Sequence, residues 1–244
     1  MIGQAERVKE ANKCFYNKIG DKYEQSDGRR SEGLAGYVRA EIGSNKRGSL
    51  LDLGCGSGFV CRNALGLYER VYGLDISHKI LHDIDSEGIL RINGDLDHLP
   101  FRAESFDCVV TFATLHHCYG FEGLFKEIYR VLKRGGLYYS DHDMNDQFYT
   151  RYKTLLRLYR SVFNPLRRYR RQCPSLQEVE YHLSEYHSKG IPTHEIRSLL
   201  EAVGFSKVSM TFHWYGLNPL TDMFWGKREM GPPSAPLVKI RAIK

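Results

Sequence analysis

Short apolar runs recur through the first two thirds of the chain, separated by stretches with helical spacing. Ser49–Leu53, Arg70–Asp75, Leu90–Asp95, Phe106–Phe112 and Leu137–Ser140 have the length and continuity of buried strands. Helices are predicted at 59–66, 77–86 and 121–132. The last places Leu124, Ile128, Val131 and Leu132 on one face and is ended by Gly135-Gly136. Strands alternating with helices imply parallel strands and right-handed crossovers, so the expected fold is α/β, a Rossmann-like doubly wound sheet. Ahead of it, residues 4–20 carry Val8, Ala11, Phe15 and Ile19 at helical spacing, 21–33 read as polar loop, and a helix over 31–43 ends near Gly43.

The alternation breaks at 144–190, a helical stretch rich in Tyr and Arg. Its apolar stripe runs through Phe148, Tyr152, Leu155, Leu156, Tyr159, Val162 and Phe163. Beyond it, a helix over Thr193–Val203 with Thr193 as N-cap and a strand over Lys207–Trp214 are expected. The segment from Gly231 holds three prolines and reads as irregular. The expected organisation is an N-terminal helical lid segment (1–43), a core (44–143), an inserted cap (144–190), a C-terminal part of the core (191–230) and a tail (231–244).

Length and composition narrow this picture. The 244 residues are 42% hydrophobic and 26% charged, the balance of one large globular domain with room for a cap. That excludes a wholly disordered or collagen-like chain. No apolar run approaches the ~20 residues of a membrane-spanning helix, and Met1–Arg7 lacks the pattern of a signal peptide. The reading is of a soluble, cytoplasmic protein. The net charge of +6 is mild, but its distribution is uneven: Arg151, Lys153, Arg157, Arg160, Arg167, Arg168, Arg170 and Arg171 follow one another without an acidic residue between. The six cysteines form no C-x-x-C pair, so buried reduced thiols are expected and no metal site.

The candidate chemistry gathers at predicted strand ends. Gly54, Gly56 and Gly58 follow the first strand, where glycines permit a sharp turn and close approach of a ligand to the backbone. The spacing departs from the dinucleotide fingerprint, whose third glycine would fall at Phe59, and no Gly-Lys-Ser/Thr of a phosphate loop follows. Asp75 ends the second strand, where a carboxylate can accept both hydroxyls of a ribose, whether of a nicotinamide cofactor or another adenosine. Asp95 can accept from an adenine amino group, with Ile76 and Leu96 against the ring. Asp52 can steer an ammonium group.

Leu50-Leu51-Asp52-Leu53-Gly54-Cys55-Gly56-Ser57-Gly58 resembles motif I of class I S-adenosylmethionine-dependent methyltransferases. Val71–Ser77 is similar to their ribose-acid segment, and Gly94-Asp95 with Leu99-Pro100-Phe101 to their adenine segment. Ser105–Val110 with Leu115-His116-His117, and Glu127–Gly136, resemble the fourth strand and the helix before the fifth; Arg134 stands where proline is usual. The resemblance covers roughly 48–141. It implies a seven-stranded sheet with the last strand antiparallel, and S-adenosylmethionine as methyl donor in an SN2 transfer. It also implies cofactor contacts from Asp52, Gly54, Cys55, Gly56, Asp75, Ile76, Asp95, Leu96, Thr111 and Phe112.

On the acceptor side, His116 and His117 follow strand four, and Asp141, His142 and Asp143 end strand five; either group can carry a base, and either can serve only to fix its loop. His116, His117 and Cys118, being adjacent, are a poor metal set. Tyr16 and Tyr23 lie in a segment similar to the lid of small-molecule methyltransferases, including quinone-biosynthesis enzymes. Tyr152, Arg167 and Arg168 in the cap suit a small or lipid-like acceptor with an anionic group, or contact with an anionic membrane surface. RNA is an alternative acceptor, which would make the chain a tRNA methyltransferase, since Arg and Tyr also serve phosphates and bases. An NAD(P)-dependent oxidoreductase and a non-catalytic cofactor-binding regulatory subunit are the further alternatives. The oligomeric state is not set by the sequence.

Overall fold

A computed structural model describes residues 3–26, 31–43, 48–84 and 87–244, with the backbone alone at 21–26 and 172. Its seven strands are β1 (Ser49–Leu53), β2 (Arg70–Asp75), β3 (Ile89–Asn93), β4 (Phe106–Phe112), β5 (Leu132–Met144), β6 (Ser206–His213) and β7 (Leu237–Ile243). They form one sheet in the order β3-β2-β1-β4-β5-β7-β6. The first five pair in parallel, and β7 runs antiparallel to both β5 and β6. The strand order reverses direction at β1 and β4, so the crevice outside their carboxyl ends is where a doubly wound sheet takes ligand.

The helices are α1 (Gln4–Ser26), α2 (Glu32–Ile42), α3 (Phe59–Ala64), α4 (His78–His82), α5 (Glu122–Val131), α6 (Asp146–Arg151), α7 (Lys153–Val162), α8 (Pro165–Gln172), α9 (Glu178–Ser184), α10 (Thr193–Val203) and α11 (Pro219–Trp225). One face of the sheet buries Leu124, Phe125 and Ile128 of α5 with Ile196 and Leu200 of α10. The other buries Leu34, Val38 and Ile42 of α2 with Val60 and Cys61 of α3. Every residue of β1 is buried, including Asp52, as expected for a central strand covered on both faces. No helix among the described residues is long and apolar enough to cross a membrane.

Several expectations need correction. The helix predicted over 4–20 continues through Ser26, because Gly20 does not break it and the polar residues after it are compatible with helix; residues 27–30 of the expected loop lie outside the described residues. The 121–132 helix ends at Val131. Gly135-Gly136 does not terminate it but lies within β5, which begins at Leu132 by pairing with Phe106. Thr193 is the first helical residue of α10 and not its cap; Asp146 Oδ1 accepts from its hydroxyl at 3.1 Å. The largest correction is the segment after Gly231. Its final residues form β7, with Leu237, Val238, Ile240 and Ala242 buried between β5 and β6. Pro232, Pro233 and Pro236 precede that strand and do not interrupt it, so Leu237–Ile243 belongs to the core of the sheet.

Candidate active site

A cavity of about 600 Å³ opens at the carboxyl ends of β1, β2 and β4. Its floor is the turn after β1, where Gly54, Gly56 and Gly58 take φ of 67°, 50° and 82°. At Gly54 a Cβ would stand 2.5 Å from Thr114 Cγ2, so glycine is required by space as well as by conformation. The turn is tied to β2: Gly54 N–H donates to Leu74 O at 2.8 Å, and Gly56 N–H to Asp75 Oδ2 at 3.0 Å. Asp75 Oδ1 accepts from Ser77 N–H at 2.9 Å. Burial pushes the Asp75 carboxyl above its ordinary value, against the pull of the Ser77, Gly56 and Ile76 N–H groups. Each oxygen keeps a further lone pair for a hydroxyl.

Ile76, Leu96 and Phe112 line the same cavity, as do Asp95, Gly54 and Gly56. Asp95 is engaged from above: Lys9 of α1 places its ammonium 2.6 Å from Asp95 Oδ2 and 2.7 Å from Asp97 Oδ2. Burial alone would lower the Lys9 pKa, and these two carboxylates hold it above its ordinary value. Three other sequence candidates lie apart from the cavity. Asp52 is buried beneath α3 and accepts from Cys61 Sγ at 3.4 Å. The Cys55 thiol turns toward Gly73 in the core, and Thr111 bonds Tyr138 Oη at 2.8 Å. Adenosine and methionine moieties nonetheless fit what remains: a glycine cradle without side chains, a doubly anchored carboxylate at a strand end, and apolar walls.

The far wall joins α1 to the turn after β4, residues Leu115–His117. His117 Nδ1 lies against Ser184 O at 2.5 Å, and a carbonyl only accepts, so Nδ1 carries the proton. In neutral His117 the Nε2 is therefore the acceptor, and Tyr16 Oη donates to it at 2.8 Å. Asn12 Nδ2 donates to His117 O at 3.1 Å, and Asn12 Oδ1 is buried with no hydrogen-bond partner among the described residues. Tyr16, His117 and Asn12 all line the cavity.

His116 points away from the cavity lining. Its Nδ1 meets Asp143 Oδ1 at 2.6 Å, its N–H donates to the same oxygen at 3.1 Å, and its Nε2 is 3.7 Å from Glu185. Asp143 thus fixes the His116-His117 turn. His116, His117 and Glu185 present ligand atoms within 4.8 Å of one another, but hydrogen bonds already engage His116 Nδ1 and both nitrogens of His117. Lys9, Asn12 and Glu185 are the site residues the sequence reading did not single out. The helical periodicity of 4–20 and the run Glu185-Tyr186-His187 were their only signals.

Asp141 and His142 do not reach the cavity. Asp141 accepts from Tyr139 Oη at 2.7 Å, Tyr37 Oη at 3.2 Å and His213 Nε2 at 2.8 Å, fastening β5 to α2 and β6. Burial would raise its carboxyl, but His142 and His213 outweigh that and hold it well below the usual carboxylate range. His142 stacks on the Phe112 ring at 4.3 Å, behind the cavity wall. In the cap, Tyr152 packs on Phe148 at 4.7 Å, and Arg167 and Arg168 are exposed on α8; none of the three lines the cavity. The Tyr23 side chain lies outside the described residues.

Residues 51–140 match the family model described as a methyltransferase domain. A sterol 24-C-methyltransferase of Neurospora crassa is 32% identical over 134 residues, covering 51% of this chain and 34% of that protein. The chain thus spans about a third of the length of that relative. Among solved structures, an S-adenosylmethionine-dependent methyltransferase of Thermotoga maritima superposes with a TM-score of 0.62 at 19% identity, covering 95% of this chain and 99% of that one. A Haemonchus contortus phosphoethanolamine N-methyltransferase 2, solved with S-adenosyl-L-methionine, gives 0.57 at 15% identity, covering 100% of this chain and 60% of that one. These two likenesses establish the fold.

Proposed function

We propose that this chain, a member of the class I S-adenosylmethionine-dependent methyltransferase superfamily, methylates a small or lipid-like acceptor. The observation that carries the reading is that one cavity joins the Asp75 carboxylate on its glycine turn to the Tyr16–His117 pair. Bound S-adenosylmethionine supplies a methyl group on a positively charged sulfur, which is reactive once a nucleophile is held in line with it. Asp75, Ile76 and Leu96 hold the adenosine part, and Asp95 joins them when its carboxylate leaves Lys9. Asn12 Oδ1 offers an acceptor to a hydroxyl or amino group of a ligand.

The Tyr16–His117 pair receives the proton that an acceptor hydroxyl or amine loses. Tyr16 Oη takes it while passing its own proton to His117 Nε2, and the bond from Nδ1 to Ser184 O keeps the imidazole in the tautomer that can accept. The apolar lining from Val8, Phe121 and Leu199 supports an acceptor with a hydrocarbon body, in keeping with the sterol methyltransferase likeness. The arginines of α8 stand outside the cavity, which disfavours RNA as the methylated molecule.

The test is transfer of labelled methyl from S-adenosylmethionine into a cell extract separated into lipid, RNA and small-molecule fractions. Label in the lipid or small-molecule fraction, lost in Asp75→Ala, is expected. Ribonuclease-sensitive label would make RNA the acceptor. Cofactor binding without label in any fraction would make the chain a regulatory subunit.

A further inference from the structure

The proposed reaction leaves α7 and the basic face of α8 without a role, and the surface of α7 is inverted relative to an ordinary amphipathic helix. A helix of a globular domain turns its apolar stripe to the core. No residue of α7 is buried. Leu155, Leu158, Tyr159 and Val162, spaced i, i+3, i+4, i+7, are 63%, 64%, 58% and 64% exposed, and Phe163 just beyond the helix is 61% exposed. The side turned to the protein instead carries Tyr152, Leu156 and Arg160, whose guanidinium donates to Ser188 O at 2.7 Å. A second exposed apolar face lies on α11, where Leu220, Met223 and Phe224 are 66%, 70% and 65% exposed. Ring contacts Tyr152–Phe148, Phe148–Trp214 and Trp214–Trp225 run from the start of α7 to the end of α11.

From residue 151 to 171, the segment that carries this stripe, the charge is of one sign. Arg151, Lys153 and Arg157 on α6–α7 and Arg167, Arg168 and Arg171 on α8 are exposed. Among the described residues no carboxylate forms an ion pair with Arg151, Lys153, Arg157, Arg167 or Arg171. We infer that this face docks the protein on an anionic phospholipid surface, with the α7 stripe in the headgroup and acyl boundary and the arginines on lipid phosphates. An interfacial helix needs this combination of an apolar face flanked by cationic residues. A second copy of the chain would set two strongly basic faces against each other. RNA would engage the arginines and leave the leucines, Val162 and Phe163 in water. The inference does not depend on the acceptor being a lipid.

The test is co-sedimentation of the full chain with phosphatidylcholine vesicles, with and without about 30 mol% phosphatidylglycerol, at ~0.15 M salt. Binding to the anionic vesicles and not to the neutral ones is expected. Leu158→Glu with Val162→Glu, and separately Arg157→Glu with Arg171→Glu, should each weaken the partition about tenfold or more. All four side chains are exposed, so melting temperature and S-adenosylhomocysteine affinity should stay at wild-type values, showing that the variants are folded. Failure to bind anionic vesicles, or binding indifferent to the Leu158/Val162 pair, overturns the inference. So does a dimer in sedimentation velocity that this pair abolishes, or an RNA complex that only the arginine pair abolishes.

Discussion

Replacing Asp75 by alanine tests the cofactor reading most directly. In the structure its two oxygens already take Gly56 N–H and Ser77 N–H at 3.0 and 2.9 Å, so the remaining lone pairs face the cavity beside Ile76. Two ribose hydroxyls placed there make charge-assisted hydrogen bonds. With part of each exchanged against water, their joint loss amounts to about 2–3 kcal/mol, or roughly 30- to 150-fold in Kd. The fold is perturbed in two opposing directions. Alanine leaves two buried N–H groups without an acceptor, at about 1–3 kcal/mol each. It also removes a carboxylate whose pKa burial has raised, so burial disfavours its charged form in the folded state. Asp75→Asn separates the effects, since it keeps the volume and one acceptor but no charge. Calorimetric titration with S-adenosylhomocysteine, alongside thermal melts, should give a large loss of affinity in alanine and an intermediate one in asparagine. Wild-type affinity in a folded alanine variant would take the ribose out of this cavity and refute the assignment of the whole crevice.

Tyr16→Phe should lower kcat about a hundredfold or more and leave S-adenosylhomocysteine affinity unchanged; equal turnover would reduce the Tyr16–His117 bond to a packing contact. Lys9→Met should change stability by less than about 1 kcal/mol, because the pair with Asp95 is partly exposed. It should tighten cofactor binding a few-fold by freeing Asp95, and weaker binding in calorimetry would show that Lys9 holds Asp95 in its binding position. Asp141 is held below its ordinary pKa, so its contribution to stability is complete above the unfolded value near ~4 and is lost as pH falls through the lower folded value. Urea midpoints should therefore drop on acidification below about pH 4, and Asp141→Asn should flatten that limb; an unchanged slope would remove Asp141 as its source.

What was legible in the sequence was local. β1, β2 and β4 agree with the predicted strands residue for residue, because central strands covered on both faces are continuous apolar runs. The glycine turn, Asp75 and Asp95 follow from their positions at strand ends. β7 was hidden because three prolines precede it and its seven residues alternate with Lys239 and Arg241, both of which are drawn onto Glu41 of α2. The partition of Asp141, His142 and Asp143 was illegible for a different reason. Simple alternation puts Asp141 and Asp143 on one face of β5. The pairing with β7 shifts register between Ser140 and Asp143, and His142 takes φ of 67°. That irregularity sends Asp141 toward Tyr37 and His213 and Asp143 toward His116. No pattern of residue types marks such a bulge, so the sequence pointed to the right segment without separating its two acids.

Helix α1 explains why the lid, the cap and the crevice form one unit. Its periodicity gives it two working faces. Lys9, Asn12 and Tyr16, at i, i+3, i+7, reach Asp95, His117 O and His117 Nε2 along the cavity. Phe15 and Ile19 are buried against Leu166 of α8 and Leu176, and Lys18 pairs with Glu180 of α9 at 2.7 Å. The cap returns the contact, since Ser184 at the end of α9 supplies the carbonyl that fixes the His117 tautomer. A change that loosens α1 from the cap therefore acts at His117 twice, by withdrawing Tyr16 from Nε2 and by releasing Ser184 from Nδ1. Phe15→Ala leaves a cavity at the centre of that contact, at about 3–5 kcal/mol if the site does not collapse. Its effect should fall on kcat ahead of cofactor affinity, because Asp75 is held by the backbone N–H groups of Gly56 and Ser77, and α1 reaches it only indirectly, through the bond from Ser77 Oγ to Asn17. Steady-state kinetics and calorimetry on that one variant separate the two, and a loss of affinity matching the loss of kcat would show that α1 holds the cofactor as well.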